Sequence, residues 1–152
     1  MNKTKINRII IAVILILSGL AAGYYQKDPL PKVSTGKQLE QAGNNLAILQ
    51  AFEQHQSGVM LSGSGEIIKV LPDDNSGIRH QKFIVRTGGR QTVLIAHNID
   101  LAPRVKIKIG DEISFRGEYE WNARGGLVHW THHDPQGRHP EGWLKVKGEY
   151  YK

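Results

Sequence analysis

From Ser57 almost to the C-terminus, apolar and polar residues alternate with a period of two, which commits most of the chain to β-strands. Val59, Leu61, Gly63, Gly65 and Ile67 alternate with Met60, Ser62, Ser64, Glu66 and Ile68. Glycines inside such a run mark a bulge or a sharp bend of the kind found at barrel corners. Pro72-Asp-Asp-Asn-Ser-Gly77 is a turn cluster. His80 to Arg86 is a strand with Phe83 and Val85 on one face, and Gly88-Gly89 turns it into Gln91 to His97, where Val93, Ile95 and His97 share a face. Val105, Ile107 and Ile109 alternate with Lys106 and Lys108, which predicts an amphipathic strand with a solvated lysine face. Gly110-Asp111 then turns the chain into a strand where Ile113, Phe115 and Gly117 alternate with Glu112, Ser114, Arg116 and Glu118. Asn122-Ala-Arg-Gly-Gly126 is a hairpin turn into a strand over 127–132, and the last strand runs from Trp143 to Lys147.

The segment before Ser57 has the other period. Leu39, Ala42, Leu46 and Leu49 recur at helical spacing, with Ile48 and Phe52 widening the stripe. Thr35-Gly-Lys-Gln38 has the spacing of a capping box, and Gly43-Asn44-Asn45 weakens the middle. The spacing predicts one amphipathic helix over about 37–55. A helix, about five strands, and glycine bends in a long first strand predict a mainly β domain over 37–152. Its expected form is a small OB-like antiparallel barrel, a five-stranded Greek key. An open antiparallel sheet with one helix is the alternative.

The first 25 residues are of another kind. Met1 to Arg8 carries Lys3, Lys5 and Arg8 with no acid, Ile9 to Leu17 is unbroken apolar sequence, and the run ends near Tyr25. A spanning helix needs roughly 20 apolar residues. A signal peptide needs a basic start, an apolar core and small residues at the cut, which Ala21 and Gly23 supply. Residues 1–25 are therefore expected to be a signal-anchor, with a cleaved signal as the alternative. Either places the remainder outside the cytoplasmic membrane, by the positive-inside rule. Residues 26–36, with Pro29 and Pro31, read as an extended linker. The net charge of +6 suggests an acidic partner, but three of the 20 basic residues and none of the 14 acids lie in the first 26 positions. The exported part keeps 17 bases against 14 acids, or +3, so the charge argument for nucleic acid is modest. The absence of cysteine excludes disulfides, thiolate chemistry and lipid attachment at cysteine.

The blocks Arg79-His-Gln-Lys-Phe-Ile, Ala96-His-Asn-Ile-Asp-Leu-Ala-Pro103, Gly117-Glu-Tyr-Glu-Trp-Asn122 and His129-Trp-Thr-His-His-Asp-Pro135 carry a resemblance, together with Gly137-Arg-His139 and Gly142-Trp143. Over roughly residues 45–150 the chain resembles a family of small exported bacterial proteins catalogued as a domain of unknown function. The resemblance implies a bacterial envelope protein, and with the N-terminal segment a domain in the periplasm. It implies no activity, cofactor or catalytic residue.

Trp121 to Trp143 holds four of the seven histidines and all three tryptophans. Metal ligands must converge within about 2.0–2.2 Å of one ion. Along a strand, His129 and His133 lie about 13 Å apart by the rise per residue, so a purely local site fails. A site at His129, His133 and His139 needs the Asp134–Gly137 turn to fold His139 back, or His97 to meet His129 across strands. Mixed His/Asp ligation suits zinc, or manganese or magnesium as further divalent ions. A hydrolase reading uses His133, Asp134 and His139 as catalytic groups, since a histidine held by an aspartate is a general base near neutral pH, with Arg138 stabilising phosphate charge. Asp134 capping a turn is the structural alternative. The third reading is a binding module: Trp121, Trp130 and Trp143 as stacking platforms, with Arg79, His97, Asn98, Asp100, His129, His132 and Arg138 as polar contacts. Its ligand is expected to be acidic or polymeric, with single-stranded nucleic acid or an envelope polymer as candidates. A protein-interaction module of an envelope assembly is the last alternative.

Overall fold

The computed structural model of the chain describes residues 36–152. The segment expected to be an anchor or signal, and residues 26–35 of the linker after it, lie outside the described residues, while Gly36, the linker's expected last residue, already belongs to the helix. Among those described, no helix is long and apolar enough to cross a membrane.

The fold is mainly β: one helix and a seven-stranded sheet in which five strands close a ring. Helix α1 spans Gly36–Glu53, close to expectation. The strands are β1 Val59–Asp74, β2 His80–Gly88, β3 Gln91–Asn98, β4 Glu112–Glu120, β5 Leu127–His129, β6 Trp143–Val146 and β7 Glu149–Tyr151. Their order is β1-β2-β3-β5-β4-β6-β7, and β1 also pairs with β4. Strand β1 makes the closure possible. Its first half, Val59 to Glu66, runs antiparallel to β4, and its second half, Glu66 to Asp74, antiparallel to β2. Register shifts after Ile67 and Leu71 bend it between the two partners. The ring is completed by a short parallel pairing of Leu94 and Ile95 with Leu127 and Val128.

The core follows from the alternation. Ile67, Phe83, Val85, Val93, Ile95, Ile113, Phe115, Tyr119, Val128, Leu144 and Val146 turn inward and are buried. Helix α1 packs against them, but not with its expected stripe. Ile48 and Ala51 are buried, whereas Leu39 and Leu46 are exposed. Two features of β1 choose this face. A Cβ on Gly63 would lie 2.4 Å from Ile48 Cδ1, so the missing side chain is the socket for Ile48. Asn45 then donates to the Ser64 and Thr87 carbonyls and accepts from Ser64 N–H at 3.0 Å, pinning the helix to both β1 and β2. His55 has φ 54° at the helix end, and Gln56 N–H reaches back to Ala51 O at 2.9 Å, closing the last turn.

Two expected strands are corrected. Residues 105–109 form no strand: Val105 is buried and Ile109 exposed. The buried Gln81 side chain takes the place of a neighbouring strand, accepting from Val105 N–H and donating to Val105 O, both at 2.9 Å. Strand β5 stops at His129 rather than 132, because Trp130 takes a left-handed φ of 49°. The alternation breaks there, and Thr131 and His132 are both buried.

Candidate functional site

The histidine block is dispersed by that break into three environments. Strands β4 and β5 place Glu118 directly opposite His129, with Glu120 two residues on along the same outward face. His129 Nε2 lies 3.7 Å from Glu118 Oε1 and 3.9 Å from Glu120 Oε1, and it is buried without a hydrogen bond. Among the described residues, the ligating atoms of these three side chains lie within 4.8 Å of one another. Burial pulls the His129 pKa below its ordinary value, against the pull of Glu118 and Glu120.

The loop from 130 to 142 returns over β4 and lays His139 on the other oxygen of Glu118, at 2.5 Å. The opposite ring nitrogen of His139 faces the Pro140 carbonyl at 2.9 Å. Both nitrogens face acceptors, an arrangement that favours the doubly protonated, cationic ring. Burial opposes that charge, but the Glu118 and Pro140 hydrogen bonds outweigh it and raise the His139 pKa. The His139 hydrogen bond likewise leads the lowering of the Glu118 pKa. Trp130 stacks on the His139 ring, with centroids 4.1 Å apart and planes 8° apart.

The expected catalytic set is not assembled as a unit. His133 is exposed and bound to Glu141 at 2.8 Å, not to Asp134. Asp134 accepts backbone N–H groups of Gln136, Arg138 and His139 at 2.8–3.0 Å, the behaviour of a turn cap. Those bonds, led by Gln136, hold its carboxyl below the usual range. Of the expected metal set, His129 and His139 are brought to Glu118 and His133 is not. His97 faces the interior, bound to Thr131 Oγ1 at 2.9 Å and Pro103 O at 3.2 Å, so it does not meet His129.

The expected contact residues mostly serve the fold. Arg79 is paired with Asp100 at 2.6 Å, and Asn98 Oδ1 accepts from Asp100 and Leu101 N–H, which together close the loop after β3. His132 is buried and bonded to the His133 carbonyl at 2.8 Å. Trp121 packs on His55 and Phe52 at the helix end. Trp143 meets Tyr150 edge-on at 5.3 Å. Arg138 is exposed beside Trp130 and His139 in an open hollow.

Glu118 and Glu120 were missed as site residues. The signal was available: in Gly117-Glu-Tyr-Glu120 the alternation sends both acids to one face. What no local pattern supplied was the pairing of that face with His129.

A separate cleft of about 470 Å³ lies across the outer face of β1, β2 and β3. Leu71, Ile84 and Leu94 form its apolar floor; Thr92 lines it too, and Asn122 and Arg124 of the β4–β5 loop form one wall.

In comparison with curated proteins, the chain matches none. The pattern of the family described as Protein of unknown function (DUF3465) matches residues 33–152, and the chain belongs to that family.

Proposed function

We propose that the domain is a non-catalytic binding module whose ligand, acidic and carrying apolar units, occupies the cleft over β2 and β3. We read the five-strand ring as an OB-like barrel, and such barrels bind polymers on the face of their second and third strands and through the β1–β2 and β4–β5 loops. The observation that carries the reading is that the apolar-floored cleft lies on this face and is walled by Arg124 of the β4–β5 loop. The three tryptophans are engaged with the protein's own rings, so aliphatic contact and charge, rather than base stacking, supply the affinity. Titration of the full-length protein in detergent with a single-stranded oligonucleotide, an acidic polysaccharide and anionic lipid vesicles tests this. Binding of at least one probe, weakened about tenfold by Arg124→Glu or Ile84→Asp with the fold retained, is expected. Affinity unchanged in both variants, or no binding to any probe, refutes it.

We further propose that residues 9–25 hold this domain at the bacterial inner membrane, facing the periplasm. The support is the basic start and the apolar run that follows. The full-length chain is expected to stay in the membrane pellet after an alkaline wash, at its uncleaved mass, and to be digested by protease added to spheroplasts. Release of a shortened chain favours the cleaved signal, and protection from external protease overturns the location.

A further inference from the structure

We propose that Glu118, Glu120 and His129 bind one divalent metal ion of zinc-like character, with His139 as a positioning residue that holds Glu118 through its second oxygen. The site is separate from the cleft and does not depend on the ligand proposed for it.

Three observations converge on an ion. His129 Nε2 is buried and has no hydrogen-bond partner, a condition that native structures rarely leave uncompensated. Glu118 Oε1 and Glu120 Oε1, at 3.7 and 3.9 Å, are beyond hydrogen-bonding distance, yet the three ligating atoms all lie within 4.8 Å of one another. An ion with bonds of about 2.0–2.2 Å in tetrahedral geometry sets its ligand atoms about 3.4 Å apart, so the three atoms, within 4.8 Å of one another, must draw closer to complete the shell. Two carboxylates converge here, and among the described residues their ion-pair partners are histidines only, with no lysine or arginine.

The remaining oxygen of Glu118 is already taken by His139, which leaves Oε1 directed at His129. A hydrogen-bonded partner behind a ligating carboxylate fixes its orientation, and such partners commonly matter 10–100-fold to metal affinity. One imidazole and two carboxylates favour zinc and similar ions over calcium, which takes oxygen ligands alone. The group stands on the outer face with each residue half-buried, so an ion can enter from solvent.

Equilibrium dialysis of the full-length protein in detergent against zinc, with magnesium and calcium in parallel, tests the assignment. We expect one zinc per chain and weaker binding of the other two ions. His129→Gln and Glu120→Gln should each weaken zinc binding more than tenfold, and His139→Ala about tenfold. His133→Ala, whose ring is held by Glu141 outside the group, should bind as the parent does. Near-UV circular dichroism of each metal-free variant checks that folding is kept, and Glu120→Gln decides if His129→Gln unfolds. In the parent, cobalt(II) should give a visible spectrum of mixed nitrogen and oxygen ligation. The proposal is overturned if the parent retains no zinc, if Glu120→Gln retains it at parental affinity, or if His133→Ala loses it.

Discussion

Acidification from pH 7 to about pH 4 is expected to cost the folded domain on the order of 3 kcal/mol through one residue, His97. Its ring is fully buried on the inward face of β3. The neutral form is satisfied at both nitrogens, with Nε2–H donating to the Pro103 carbonyl and Nδ1 accepting from the Thr131 hydroxyl. A second proton would place an unpaired charge in the core. Burial accordingly lowers the pKa from 6.5 to about 4. The unfolded chain binds its proton near pH 6.5 and the folded one near pH 4, so in that window unfolding takes up a proton and stability falls as pH falls. The carboxylates held low by their partners, such as Asp100 and Asp134, add acid sensitivity below the ordinary carboxylate range, which separates the two effects. Urea denaturation at pH 7 and at pH 4.5 measures the loss, and replacing His97 with Gln should flatten it. A ring resonance of His97 titrating near pH 6.5 in the folded protein would rule the explanation out.

Gly65→Ala is expected to destabilise by on the order of 3 kcal/mol, a large share of the about 5–15 kcal/mol that holds a domain folded. A Cβ at Gly65 would stand 1.9 Å from the Arg86 carbonyl oxygen and 3.2 Å from Thr87 Cα. These are backbone atoms of β2, and β2 cannot retreat. Asn45 ties Thr87 to the helix, β1 pairs on its other side with β4, and the ring passes strain round to β3 and β5. Gly43 supplies the contrast. It lies in α1 with nothing within 4 Å of an added Cβ, so Gly43→Ala should stabilise by about 0.5–1 kcal/mol. Thermal melting of both variants checks the pair. Equal and small effects would mean that β1 and β2 separate more freely than the close approach requires.

Much of the fold was legible because its cause is local. The change of period at Ser57, the Gly88-Gly89 turn and the Asn122–Gly126 turn locate the helix and most strand starts from residues that stand beside them. Gly63 and Gly65 were expected to mark a bend in β1, but they keep regular register with β4 and the shifts come after Ile67 and Leu71; the glycines instead admit the close approach of Ile48 and of the Arg86 carbonyl. The run 105–109 misled because alternation reports burial on one side, and a buried glutamine can satisfy the backbone without a strand.

The site was less legible. Its histidines were visible, but the partners of His129 and His139 sit on β4, and the register of β4 against β5 is set by core residues such as Tyr119 and Val128. His133 and Asp134 are adjacent in sequence, yet one is exposed on Glu141 and the other caps a turn, because Trp130 leaves the extended conformation and reverses the order of faces.

The sequence by itself determined the class of the fold, the positions of its turns and which faces of most strands are apolar, since steric preference and burial act within a few residues. The tertiary structure alone decided which helix face meets the sheet, where β5 ends and which histidine meets which acid. Those outcomes depend on the closing of one ring, in which a single close approach fixes the placement of residues far apart in the chain.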